Sequence, residues 1–247
     1  MHNLHRLGET RSSRQRDHLL QTPDTFVRTV LPGMRNAVAV VHMGPAAGAA
    51  FTQYTAELEA GGALGATPVQ RFVYVLEGVA DVSTATSFHT LTAGGYSFFP
   101  ESVEHTVKAS ERTRLAVIEK PYEAVAGIAA PGVLVGREID VPSVALMGDE
   151  DVQVQGLMPD EAGFDFAVNT MTYQPGAALS LVEIHVMEHG LLMLEGGGIY
   201  RLGERWYPVS AGDFIWMAPF CPQWFGALGK QPAKYLIYKD WNRHPIG

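Results

Sequence analysis

The sequence predicts an all-β protein built as two tandem barrels, on three observations: short alternating apolar runs, dense chain punctuation and an internal repeat. The runs Asn36 to His42, Phe72 to Leu76, Phe164 to Val168 and Tyr235 to Tyr238 are separated by Gly, Pro and Asp, the pattern of strands joined by turns. With 26 glycines and 15 prolines in 247 residues there is little room for long helices. The repeat sets the architecture: Leu76-Glu77-Gly78 returns as Leu194-Glu195-Gly196, and Thr92-Ala93-Gly94 as Ser210-Ala211-Gly212, both displaced by 118 positions.

In chain order, residues 1–25 form an arm with no assigned element. Residues 11–20 lack Gly and Pro, which permits a short helix, but show no apolar period. Arg11, Arg14 and Arg16 read as decoration of a solvated segment. Residues 26–150 hold the first barrel and its connecting segment: strand, Leu-Glu-Gly turn, strand, Ala-Gly turn and the aromatic strand Tyr96 to Phe99. An Ala-, Gly- and Pro-rich stretch from Val125 to Pro142 leads onward. The second barrel occupies residues 151–247 and repeats the order, with Phe214 to Met217 as its aromatic strand.

Composition narrows the function classes. Hydrophobic residues at 47%, with 10% aromatic, are ample for a packed core. A formal charge of -8 without a run of five like charges argues against nucleic acid or an anionic membrane as main partner. Cys221, the single cysteine, excludes an intramolecular disulfide and needs no role beyond packing. No stretch reaches 18 apolar residues, and the first twenty lack the apolar region of a secretory signal, so a cytoplasmic location is expected.

The chemistry gathers at Glu183-Ile184-His185-Val186-Met187-Glu188-His189. On a strand, Glu183 and His185 share a face at a separation of roughly 6.6 Å, which one divalent cation can bridge. His189 keeps that parity unless the next turn moves it to a neighbouring strand. With Gln223 the set offers two imidazoles, a carboxylate and an amide oxygen, suited to Mn(II), Fe(II) or Zn(II). A lone strand histidine is more often a satisfied core residue; three such groups together favour a metal site.

These residues carry a resemblance. Glu183, His185 and His189 ahead of the Gly196 turn, with Gln223 after it, resemble the two ligand motifs of the cupin superfamily, although cupins usually place histidine where Gln223 stands. With Gly198-x-Tyr200-Arg201 and the closing Tyr238-Lys239-Asp240-x-Asn242-Arg243, the chain resembles the bicupin (S)-ureidoglycine aminohydrolase family. The resemblance implies two double-stranded β-helix (jelly-roll) barrels and a carbon–nitrogen hydrolase of the linear-amidine class. It further implies Mn(II) held by Glu183, His185, His189 and Gln223, conversion of (S)-ureidoglycine and water to (S)-ureidoglycolate and ammonia in purine catabolism, and a homo-oligomer acting on a small molecule. Carried over by position, Tyr200 and Lys239 join Glu183 as catalytic residues. Taken alone, a strand tyrosine reads as a core ring, and Lys239 points equally well inward or outward.

At the 118-residue displacement, the first half has Gly65, Thr67, Arg71 and His105 where the second has its four ligands. One histidine without partners holds no metal tightly, so the first barrel is expected to support the fold and an oligomer interface. Three other readings compete with the hydrolase. A non-haem Fe(II) dioxygenase uses a similar ligand set, but Gln223 takes a position that dioxygen and substrate need. A metal-free binding cupin has no use for the four ligands together, and a DNA-binding regulator lacks a helix-turn-helix or basic segment.

Overall fold

A computed structural model describes residues 9–101 and 103–243. Helix among these is confined to single 3-10 turns at Pro23–Thr25, Pro45–Ala47 and Glu138–Asp140, and the rest of the regular structure is strand. None of the helices is long and apolar enough to cross a membrane. The repeat is structural. Strands Gln70–Glu77, Val79–Thr84, Phe88–Thr92, Gly95–Phe99, His105–Ala109 and Thr113–Lys120 recur as His189–Glu195, Gly197–Leu202, Arg205–Ser210, Phe214–Met217, Gln223–Ala227 and Ala233–Asp240. Each Leu-Glu-Gly turn ends on a glycine at positive φ, +83° at Gly78 and +62° at Gly196. A Cβ there would also collide with the carbonyl of Arg112 or of Pro232, so both copies need glycine.

The first half forms one ten-stranded sheet, and the second an eight-stranded and a three-stranded sheet. Alternation along the strands gives each barrel its own interior. Tyr54, Val73, Val75, Leu115 and Val117 fill the first; Tyr173, Leu191, Tyr200, Phe225 and Ile237 fill the second. A third cluster joins the barrels, with Phe51, Phe72 and Phe98 from one side against Phe166, Phe214, Trp216 and Tyr238 from the other. Phe51 stacks on Tyr238 with ring centroids 3.9 Å apart.

The arm departs from expectation. Ser13–Arg14 and His18–Gln21 are strands, and the latter pairs with Phe214–Met217 in the second barrel's sheet. Leu20 is fully buried there, so the tertiary edge decides the conformation where the sequence shows no period. The edge strand of the first barrel is covered in the same way: Gly95–Phe99 pairs with Leu134–Arg137, a strand within the stretch read as a connector. Arg11 is no solvated decoration. Its guanidinium forks onto the fully buried carboxylate of Asp213, while Arg14 donates to the carbonyl of Ala47 at 2.9 Å. Residues 1–8 of the arm lie outside the described residues. The change of sheet falls between Leu134–Arg137 and Val144–Leu146, ahead of the boundary set at residue 150, and strand Asp149–Gly156 runs across that boundary.

Candidate metal centre

The expected ligand strand is not a strand. Glu183 makes a single bridge to Gln223, its N–H donating to the Gln223 carbonyl at 2.8 Å and its carbonyl accepting from the Gln223 N–H at 2.9 Å. That reciprocal pair anchors a carboxylate and an amide side by side. His185 follows in irregular chain, its carbonyl accepting from the Phe220 N–H at 2.6 Å. Phe220 sits at φ +64°, uncommon for a residue with a bulky side chain. His189 opens the next strand, between Met217 and Lys239. The sequence spacing thus unites the ligands through a loop and two strand ends.

Side chains converge accordingly. The Nε2 of His185 lies 3.1 Å from a Glu183 carboxylate oxygen, and the His185 and His189 rings are 5.4 Å apart at 85°. His189 Nδ1 faces the Tyr238 carbonyl at 3.3 Å, so its proton sits there and Nε2 carries the free lone pair. Nε2 is buried and, among the described residues, has no hydrogen-bond partner. Burial, reinforced by His185, pushes the His189 pKa down to about 3, which keeps the ring neutral as a ligand must be. An orphaned imidazole nitrogen beside a carboxylate, a second imidazole and an amide fits a divalent cation of the N/O-preferring kind.

Lys239 lies directly across the strand pair from His189 and therefore on the same face. Its Nζ stands 4.3 Å over the Trp241 ring, whose indole N–H donates to Asp160 at 2.6 Å. With its amide turned to satisfy both ends, Asn169 accepts from Lys239 Nζ at 3.2 Å. Burial lowers the Lys239 pKa. Tyr200 is fully enclosed, and its hydroxyl donates to Gln223 Oε1 at 3.3 Å; burial raises its pKa well above that of a free phenol. The hydroxyl therefore reaches the site through Gln223. Asn169, Trp241 and Asp160 escaped the sequence reading because strand pairing brings Asn169 to the lysine, and Trp241, two residues beyond Lys239, folds its ring against the ammonium only past the strand end.

Asp17, His18 and Cys221 bring their ligand atoms within 4.8 Å of one another, the one trio of His, Cys, Asp or Glu so close among the described residues, whereas Glu183, His185 and His189 are set wider. Their chemistry argues against an ion. Both His18 nitrogens are engaged, with Asp17 at 2.8 Å and the Tyr207 hydroxyl at 2.9 Å, and burial pushes the Cys221 thiol up to about 11, leaving it protonated. The trio pins the arm to the second barrel. In the first barrel, Arg71 fills the place of His189. Its Nη1 donates to the Gly65 carbonyl at 2.6 Å and meets His105 Nε2 at 3.0 Å, while Nε donates to Glu119 at 2.8 Å. A guanidinium occupies the ground where the twin site would gather a cation.

Comparison with known proteins bears on the fold and the family. Residues 169–238 match the cupin domain family model, and residues 45–122 match that of the EutQ-like cupin domain. A probable (S)-ureidoglycine aminohydrolase of Oryza sativa subsp. japonica is 41% identical over 97% of this chain and 78% of its own length. The (S)-ureidoglycine aminohydrolase of Arabidopsis thaliana is 40% identical over 97% and 80%. The crystal structure of a putative glyoxylate induced protein from Pseudomonas aeruginosa superposes with a TM-score of 0.88 at 30% identity, over 95% of this chain and 92% of that one. The chain belongs to the (S)-ureidoglycine aminohydrolase family, hydrolases of a carbon–nitrogen bond, and is a bicupin.

Proposed function

We propose that the second barrel converts (S)-ureidoglycine and water to (S)-ureidoglycolate and ammonia, with Mn(II) held by Glu183, His185, His189 and Gln223. The observation that carries the reading is the buried His189 Nε2, unpartnered among the described residues and beside the His185 ring, which itself meets the Glu183 carboxylate. When bound, the cation supplies Lewis acidity and an anchor for the chelating carboxylate and amine of the substrate. Lys239, on the His189 face and held by Asn169 and Trp241, pairs with the substrate carboxylate and so orients the stereocentre. Glu183 takes the proton that water loses as the C–O bond forms and returns one to the amine as the C–N bond breaks, so ammonia leaves. Tyr200 holds the Gln223 oxygen toward the centre.

The family resemblance supports reading the reaction as a step of purine catabolism, and the proposal sets it in the cytoplasm. Exposed Leu181, Ile184 and Phe220 flanking the ligand loop support a homo-oligomer, since another copy would cover them. The test is ammonia release from freshly generated ureidoglycine by metal-stripped and Mn-reloaded protein. Stereospecific (S)-ureidoglycolate, formed above the spontaneous rate only after reloading, is expected. A rate equal to the spontaneous one would end the proposal.

A further inference from the structure

The two barrels carry the same cross-strand row with its charges rearranged. In the second, His189 faces Lys239, which faces Ala167 on the next strand. In the first, Arg71 faces Glu119, which faces Thr52. The neutral imidazole of one barrel is a guanidinium in the other, and the lysine is a carboxylate. The row Thr52, Glu119, Arg71 lines a cavity of about 390 Å³ that opens beside Gly65 and Thr67, within the size range of small-molecule sites.

The hydrogen bonds of this row are only partly used. Arg71 is 4% exposed, and both its Nε and Nη2 converge on Glu119 Oε1, which also accepts from the Tyr54 hydroxyl at 2.9 Å. Among the described residues no hydrogen bond reaches Glu119 Oε2, and Nη2 has a second N–H beyond the one directed at Glu119. The pair lining the cavity therefore keeps one acceptor and one donor unused while its charges cancel, with Thr52 and Thr67 also in the lining. A carboxylate or an ammonium would bring an uncompensated charge to that pair. A group offering an N–H and a C=O together matches it without one.

We propose that the first barrel is a second, metal-free binding site for a neutral ligand bearing a primary amide or ureido group, recognised by Glu119 Oε2 and Arg71 Nη2. The assignment stands apart from the chemistry of the second barrel. It replaces the expectation that the first barrel serves only the fold and an interface.

The test is an NMR titration of the full chain with N-methylurea, with acetate and methylammonium as charged counterparts. Saturable shifts at the Gly65, Ala66 and Thr67 amides, with none at Gly197 and Gly198, are expected for N-methylurea alone. They should persist in His185→Ala, which separates this site from the candidate metal centre. The double variant Arg71→Met/Glu119→Leu removes both charges of this part-buried pair together, a change that folds tolerate better than loss of one partner, and affinity should fall at least about tenfold. Thr52→Val leaves the pair intact and should weaken binding by a smaller factor, which keeps the test decisive if the double variant fails to fold. Absence of saturable shifts, equal response to acetate, or undiminished binding in these variants would overturn the proposal.

Discussion

His189→Ala removes the nitrogen that is buried and unpartnered in the site, so metal content should fall toward zero while the barrel stays folded on its aromatic interior. Elemental analysis beside circular dichroism checks this. Gln223→Ala should be milder, because a neutral amide oxygen is the weakest donor of the four and water can replace it. Tyr200→Phe follows the same route, since its hydroxyl rests on the Gln223 oxygen: metal binding about tenfold to a hundredfold weaker is expected, read by competition with a chelator. Lys239→Met should instead keep the metal and lose about two to four orders of magnitude in kcat/KM. Trp241→Leu, which removes the ring under the lysine, should lower turnover less and leave metal content unchanged. Unchanged turnover in Lys239→Met would return that side chain to an ordinary rim lysine.

Among the elements, the strand Arg35–Met43 carries a titration switch in stability. His42 is buried, with Nδ1 on Gln21 at 2.9 Å, Nε2 on Thr55 at 2.8 Å and its ring stacked on Phe214. Burial, with a smaller contribution from Arg114, pushes its pKa down to about 3 from the ordinary 6.5. The folded state therefore resists a proton that the unfolded chain accepts. The stability linked to His42 is present above pH 6.5 and is lost as pH falls toward about 3, at about 1.4 kcal/mol per pH unit. Other buried groups titrate in the same range, so the difference in stability between the native protein and His42→Leu, from urea melts between pH 7 and pH 4, should carry that slope. The arm strand is a second case. Arg11→Ala leaves the buried Asp213 carboxylate with only the Ser210 N–H at 2.8 Å among these partners, and a loss of about 2 kcal/mol is expected in the same melts. The sequence offered the strand of Phe214 to Met217 through its apolar run, but not the partner that covers it. His18–Gln21 has no period of its own and becomes a strand because an edge is open to it.

The whole molecule was legible where a pattern repeats and illegible where contact crosses the repeat. Two copies of the Leu-Glu-Gly turn, both requiring positive φ at glycine, disclosed the twin barrels. The E-x-H-x3-H spacing disclosed three of the four proposed ligands, although the loop and the Glu183–Gln223 bridge unite them, not a strand face. Gln223 was read beside them as an amide donor, the inward set of Lys239 came from the resemblance, and only the folded chain supplies Asn169, through strand pairing, and Trp241, just past the strand end. The positional comparison of the halves anticipated Arg71 at the place of a ligand, yet not Glu119, because the last strand is shifted by two further residues and hides its equivalence with Lys239. That asymmetry leads to the central claim of one catalytic metal per chain, held in the second barrel. Elemental analysis of Mn-reloaded protein tests it most directly. One equivalent per chain is expected in the native protein and in His105→Ala, with none in His189→Ala; two tightly bound equivalents per chain, or full retention in His189→Ala, would contradict it.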